Sequence, residues 1–343
     1  MARRLTAVLL ALSLGALTAC DRGDGEAPGT TVPAPTTATA SPGPAQTATA
    51  EPEETTTAEP TGEDDEPTAA PLPDGAITAL VVGNDSREDD FAGLSDVIVL
   101  VQLSEDRDHL SLVSITRDSY VAIPGLGRDK INEAYHQGGV PLLRETVSDL
   151  MGGLEIDLVA HTNFEMFTDV AAALDGFWVD NRYASTVPVG SRELVFEEGR
   201  IRLDEDDALA YVRQRNTLPL GDLDRTERHR AALVGMMERL VQIREEEPER
   251  LADLLPVLHD NVRIVGDLHA DQLETLVEVG AGLGPDDVTS LMVPVSYFST
   301  TAAGAWINVL DADQTAALAK GLREGDLSDY VERYGTSYEL TGS

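Results

Sequence analysis

An α/β fold of the αβα type, with a central mixed β-sheet flanked by helices, is what this sequence predicts, and three observations carry it. Short β-branched apolar runs alternate along the chain with longer segments of helical periodicity. The part from about Asp74 onward is long enough to bury one substantial core. No internal repeat or strong linker divides that part, so one domain is expected from 74 to 327, with a polar tail over 328–343.

The elements follow in order. Ile77–Gly83 (ITALVVG) and Asp96–Leu103 (DVIVLVQL) are continuous apolar runs bounded by polar turns, the mark of strands buried on both faces. Leu110–Thr116 and Tyr120–Ile123 extend the sheet, and Gly125-Leu126-Gly127 reads as a turn. Helices are expected at Val140–Leu150 and Asn163–Leu174, with the short apolar segment Ile156–His161 between them. Asp206–Arg213 reads as a helix with acids in its first turn, where they suit the helix dipole. Thr226–Glu246 reads as a longer one, with Leu233, Met236, Met237, Leu240 and Val241 at helical spacing. Ala270–Leu283 is amphipathic, Val288–Val295 and Trp306–Leu310 are strand-like, and Asp313–Leu322 closes the domain behind an acidic cap.

The chain ahead of this domain has a different composition. Arg3 and Arg4, the apolar run Leu5–Ala19 and the box Leu17-Thr18-Ala19-Cys20 read as an export signal of residues 1–19 ending in a lipoprotein cleavage site. The run is too short to span a bilayer. Cys20 is the single cysteine, so it is expected to carry the lipid anchor, and a disulfide within the chain is excluded. Residues 20–73, rich in Thr, Ala, Pro, Gly and acids, cannot bury a core and are expected to form a disordered tether that holds the domain off the outer face of the membrane. The formal net charge of −36 disfavours nucleic acid as a partner.

The common catalytic signatures are absent: no Walker loop, no Gly-x-Ser-x-Gly elbow, and no histidine pair at zinc spacing. What stands out instead is where the charges sit. Gly83-Asn84-Asp85-Ser86-Arg87 follows one buried strand, and Ser95-Asp96 opens the next. If these strands pair antiparallel, Asp85 and Asp96 meet at one sheet edge and suit a divalent cation of the Mg²⁺ (or Mn²⁺) type. Thr116-Arg117-Asp118 ends a third strand, Lys130-Ile131-Asn132-Glu133 follows a Gly-containing loop, and Arg213, Arg215, Arg225 and Arg228 crowd a short stretch of an acidic chain. Only Lys130 and Lys320 are lysines, and the planar fork of arginine suits paired phosphate oxygens. Arg225 and Arg228, three apart, are expected on one helix face. Arg230, two residues beyond Arg228, is expected on another face and exposed. The Arg213–Arg215 spacing and Asn216–Pro219 place a helix end between them.

Read in order, GNDSR, SDVIVLV, SITRDSYVAIPG, KINEAYHQGG, ALAYVRQR and GDLDRTERHR resemble the LytR-CpsA-Psr family of cell-wall glycopolymer ligases, over about Leu80–Arg230 and more loosely beyond. The chain departs from the family's usual pattern in its lipoprotein signal, in Thr116 for Pro, in His229 for Gln and in Leu174-Asp175-Gly176-Phe177 for Leu-Gly-Gly-Val. The resemblance implies an extracytoplasmic phosphotransferase that takes a glycopolymer from a polyprenyl-pyrophosphate carrier and joins it to peptidoglycan by a phosphodiester. On that reading Asp85 and Asp96 hold the metal. Arg87, Arg117, Lys130, Arg213, Arg215, Arg225 and Arg228 meet the pyrophosphate, with Asp96, Arg117 and Arg228 closest to the chemistry. Either Asp96 or Asp118 assists the attacking hydroxyl, and Lys130 either touches phosphate or braces its loop. The carrier's tail needs an apolar tunnel, for which the Leu- and Met-rich helices are candidates. Two rival readings use the same residues: a polyprenyl-pyrophosphate phosphatase with water as acceptor, and a noncatalytic lipoprotein that binds wall polymer.

Overall fold

The computed structural model describes residues 71–84, 93–266 and 282–342, with scattered positions between 268 and 280. Cys20, the expected signal and most of the tether, Asp85 and Arg87 lie outside the described residues.

The first half of the domain runs β1 (Ile77–Asn84), β2 (Ser95–Leu103), β3 (Leu110–Ser114), β4 (Tyr120–Ile123), β5 (Gly127–Lys130), α1 (Ile131–Leu150), β6 (Leu158–Asn163), α2 (Phe164–Ala173), and then β7 (Phe177–Asn181), β8 (Ser185–Val189), β9 (Arg192–Phe196) and β10 (Gly199–Leu203). The second half runs α3 (Glu205–Arg213), α4 (Asp222–Glu246), α5 (Pro248–Asn261), β11 (Arg263–Gly266), β12 (Val288–Met292), β13 (Val295–Thr300), β14 (Trp306–Leu310), α6 (Ala312–Glu324) and α7 (Ser328–Tyr334).

Six strands form the central sheet in the order β11-β6-β1-β2-β3-β12. The sheet is mixed: β1 and β2, β2 and β3, and β6 and β11 pair antiparallel, whereas β1 and β6, and β3 and β12, pair parallel. The C-terminal ends of β1, β3, β6 and β12 therefore share one edge with the start of β2, and Asn84 stands opposite Ser95 there. Such an edge is where open α/β sheets place ligands.

Side chains alternate between the two faces with the period of two that strands impose. Leu80, Val82, Ile98 and Leu100 pack under α1 and α6 with Ile131, Val147, Leu318 and Leu322. Ala79, Val81, Val99 and Val101 pack on the opposite face against Leu233 and Met237 of α4. A second apolar cluster joins α2, α3, α4, α5 and the small strands through Ala171, Phe177, Phe196, Tyr211, Met236 and Leu254.

The structure corrects several expectations. Helix also forms over 131–138, ahead of Val140–Leu150, and the two pieces are joined across Gly139 at φ 62, with Pro141 at the kink. The run Val288–Val295 divides at Pro294, which has no N–H for a ladder, so β12 joins the central sheet and β13 pairs with β14 instead. The long helix begins at Asp222 rather than Thr226, because Gly221 at φ 55 turns the chain where a side chain would be strained. Nor is 328–343 a polar tail: α7 buries Tyr330, and Tyr338 is buried with its hydroxyl donating to Asp224 Oδ1 at 2.8 Å. The hairpins β7–β10 were not foreseen.

Candidate active site

The charged residues singled out by the sequence fall largely on the shared strand edge. Three turns deliver them. After β3 the chain makes a tight turn in which the Ser119 N–H donates to the Thr116 carbonyl at 3.0 Å. The Thr116 hydroxyl bonds Ser119 Oγ at 2.7 Å and accepts from Asn308 Nδ2 at 2.9 Å. Thr116, standing where the family usually has Pro, thus fixes the turn through its side chain, and Arg117 and Asp118 project from the two central positions. Asp96 comes from the first residues of β2, Asp222 and Arg225 from the start of α4, and Arg215 from the loop ahead of it.

These side chains form one network. Asp96 accepts a short hydrogen bond from Arg117 Nη1 and lies 3.6 Å from Arg225 Nη2. Arg225 Nη2 reaches Asp222 Oδ1 at 2.6 Å, and Arg117 Nε lies 3.8 Å from both Asp222 and Asp118. Lys130 Nζ holds Asp118 Oδ1 at 2.8 Å, and Arg215 Nη1 approaches Asp222 at 3.9 Å. Among the described residues, four cationic groups thus face three carboxylates at the N-terminal end of a long helix, an arrangement that favours an anion. Lys130 braces Asp118 within this network and occupies the N-cap position of α1 without a side-chain capping bond.

Burial sets the electrostatics. It raises the Asp222 carboxyl above its ordinary value, against the pull of Arg225 and Arg117. It lowers Arg225, against the support of Asp222 and Asp96. Arg117, although burial opposes its charge, is held above its ordinary value by Asp96 and Asp222. Asp222 was missed by the sequence reading. It was legible in principle, lying three residues before Arg225 in GDLDR, but the helix was expected to begin after it. Asp222 Oδ2 is buried with no donor among the described residues, a hard carboxylate oxygen of the type Mg²⁺ takes.

Two expectations change. Arg228 does not join Arg225 in the network: it is 2% exposed, and Nη2 donates to Asn181 Oδ1, the Tyr183 carbonyl and Ser185 Oγ, while the guanidinium lies 4.4 Å over the Tyr211 ring. It fastens α4 to the strands β7 and β8. Arg230 is not exposed either. Its Nε donates to Ser290 Oγ at 2.8 Å, tying α4 to β12, and burial lowers its pKa to about 10. Three residues along a helix amount to about 300°, so a neighbour on the same broad face still diverges enough to meet a different partner. Arg213 ends α3 and stacks over Phe164 at 5.1 Å, at the start of α2.

Further along α4 lies an apolar pocket of about 110 Å³ between the helix and the sheet face, lined by Val81, Val101, Leu112, Phe167, Leu233 and Met237 among others. Arg225 and Leu233 are eight residues apart on α4, about 12 Å along the axis. His229, between them, is fully enclosed. Its Nε2–H donates to the Val212 carbonyl at 2.9 Å, and burial, with Arg225 adding, lowers its pKa to about 3.

The LytR_cpsA_psr family model matches residues 42–324. The chain belongs to the LytR_cpsA_psr family. Among similar curated proteins is the "Polyisoprenyl-teichoic acid--peptidoglycan teichoic acid transferase TagU" of Oceanobacillus iheyensis, 31% identical over 245 residues, which are 70% of this chain and 72% of that protein. The TagU of Bacillus subtilis is 31% identical over 188 residues, 54% of this chain and 59% of its own length. Among solved structures, B. subtilis TagV superposes with a TM-score of 0.64 at 23% identity, covering 74% of this chain and 98% of that one. The structure of TagT bound to LI-WTA gives 0.58 at 26% identity, covering 73% and 90%.

Two expected outcomes follow from the corrected roles. Arg228→Ala and Arg230→Ala should each lower stability by on the order of 2 kcal/mol, by stranding buried acceptors; an unchanged melting curve for either would contradict its placement. The second concerns acid. His229 at about 3 and His161, lowered by burial to about 4, stay neutral in the fold but gain protons near pH 6.5 when unfolded. Their contribution to stability is full above about pH 6.5 and is lost as pH falls toward 4, since the unfolded state then binds more protons. His229→Gln, whose amide also donates to a carbonyl, should flatten part of this fall in denaturant titrations. An equally steep fall in the variant would contradict the assignment.

Proposed function

We propose that the protein transfers a glycopolymer from a polyprenyl-pyrophosphate carrier to peptidoglycan, as a phosphotransferase working outside the cell and anchored to the membrane through Cys20. The observation that carries this reading is the joint placement, on one helix, of an arginine-rich charge network at the N-terminus and an apolar pocket along the following turns. A carrier with an anionic head and a long hydrocarbon tail has that layout. The names of the relatives, teichoic acid transferases to peptidoglycan, support the class of donor and acceptor. The export signal read at residues 1–19 supports the location.

Arg117, Arg215 and Arg225 would receive the pyrophosphate oxygens and neutralise charge as the phosphoryl bond exchanges. They are pre-positioned by Asp96 and Asp222, so little reorganisation is needed when substrate arrives. Arg87, with Asp85, follows directly on the end of β1 in sequence and would complete the edge. A divalent cation of the Mg²⁺ or Mn²⁺ type, held by Asp96 with Asp85 or the spare oxygen of Asp222, would supply Lewis-acid stabilisation of phosphate charge. The apolar pocket is narrow, but Met236 and Met237 line it, and methionine repacks at low cost. The tail would enter by displacing them.

Purified protein should move polymer from a lipid-pyrophosphate donor to peptidoglycan in the presence of Mg²⁺. Arg117→Gln and Arg225→Gln should each lower turnover about a hundredfold or more, the usual cost of removing a group that stabilises developing charge. Met237→Trp, which fills the pocket, should instead raise KM for long-chain donors while sparing short ones. Full transfer by Arg225→Gln with matched folding would overturn the reading, and release of free polymer with no transfer would favour a phosphatase.

A further inference from the structure

A second cleft, of about 650 Å³, opens against the same network. It shares Arg117, Asp118 and Lys130 with the network and continues past Tyr120 and Asn132 to the loop of residues 301–305 that joins β13 to β14. Its volume lies within the usual range of ligand sites, roughly 300–1,000 Å³. Three features bear on what fills it.

The first is Asn132, in the opening turn of α1. It is 3% exposed and lines the cleft, yet no protein donor among the described residues reaches its Oδ1. A buried acceptor left without a donor costs about 1–3 kcal/mol, which a ligand hydroxyl or amide N–H would recover.

The second is aromatic. In the β13–β14 pair Thr300 stands opposite Trp306 and Phe298 opposite Asn308, so these four side chains share one face of the hairpin. Asn308 on that face reaches back to Thr116, behind Arg117 and Asp118. Trp306, next in sequence to the cleft residue Ala305, is 69% exposed, and Phe298 on the same hairpin face is exposed too. Two unburied rings on one face, next in the chain to a polar cleft, mark an interaction site rather than a core defect. Rings with one wet face, next to amide and carboxylate groups, suit a sugar, whose C–H face lies on the ring while its hydroxyls meet the polar groups.

The third is direction. The apolar pocket lies on the sheet face covered by α4, whereas the cleft is floored by the start of α1, which packs on the opposite face. The apolar pocket and the cleft thus lie on opposite faces of the sheet, and the cleft is the one that reaches Arg117 and Asp118. In-line phosphoryl transfer needs the attacking and leaving oxygens on opposite sides of phosphorus.

We propose that this cleft is the acceptor subsite: it seats a glycan strand on Trp306 and Phe298, takes a hydroxyl or amide hydrogen on Asn132 Oδ1, and presents one free sugar hydroxyl at Asp118. The proposal rests on the transferase reading for its chemistry. The hydroxyl oxygen forms a bond to the phosphorus that carries the polymer, the bridging P–O bond breaks, and the prenyl monophosphate leaves with that electron pair. The hydroxyl proton passes to the Asp118 carboxylate and from there to solvent.

The chain's two tryptophans, Trp178 and Trp306, make a direct test. In a Trp178→Phe protein the remaining emission reports on Trp306 alone, and soluble, peptide-free peptidoglycan glycan strands should change it saturably. In transfer assays Trp306→Ala should raise KM for the acceptor at least tenfold, leave KM for the donor unchanged, and retain slow donor hydrolysis by water. No saturable emission change, or an acceptor KM unaffected by Trp306→Ala, overturns the proposal. Strand binding at Trp306 in a protein that transfers nothing would uphold the subsite as a glycan site and defeat the transferase reading instead.

Discussion

The pairing of Asp96 and Asp222 with Arg117 and Arg225 is the constraint on which the rest of the site depends. None of these groups is freely solvated, and a buried charge without a partner costs several kcal/mol. The chain therefore has to bring β2, the turn after β3 and the start of α4 to one point, and the sheet order places their ends on a common edge. Once assembled, the four hold each other's rotamers, so the cationic groups are presented in fixed positions before any substrate arrives. Arg215 and Lys130 lie at the margin and leave the ensemble with more positive than negative groups. A buried ion network of this kind adds little net stability compared with apolar packing. Its use is to present charge.

Much of this was legible in the sequence, and the parts that were not have physical causes. Strands β1 and β2 announce themselves because both of their faces are covered, so their apolar runs are continuous. The antiparallel pairing on which the meeting of the two strand mouths was conditional is present, and Asn84 stands opposite Ser95. The hairpins β7–β10 are short, half exposed and interrupted by charges, as in Arg192–Phe196, and give no comparable signal. Asp222 was overlooked because a helix start at Thr226 left it in a loop; the positive φ of Gly221, which moves the start, depends on tertiary context. Arg228 and Arg230 were misplaced for a related reason. Spacing gives the angle between two helical side chains but not what surrounds the helix, and α4 is enclosed at this level on several sides by β7, β12 and the C-terminal segment carrying Tyr338.

The departures from the family pattern find local explanations. Thr116 replaces a ring with a hydroxyl that binds both Ser119 and Asn308, so the turn presenting Arg117 is tied to the β13–β14 hairpin. His229, where the family usually has Gln, donates to the Val212 carbonyl, at the cost of sensitivity to acid. Asp175, where the family usually has Gly, adopts φ 56, a conformation that asparagine and aspartate tolerate better than other side chains.

The central claim is a division of labour along α4, with the head of a carrier held by arginines and its tail by the apolar pocket. Calorimetric affinities for prenyl pyrophosphates of increasing chain length measure both parts at once. The account predicts that affinity rises with each added isoprene unit, and that Arg225→Gln weakens every chain length by the same factor while leaving the slope unchanged. Affinity that ignores chain length, or that survives Arg225→Gln intact, would contradict it.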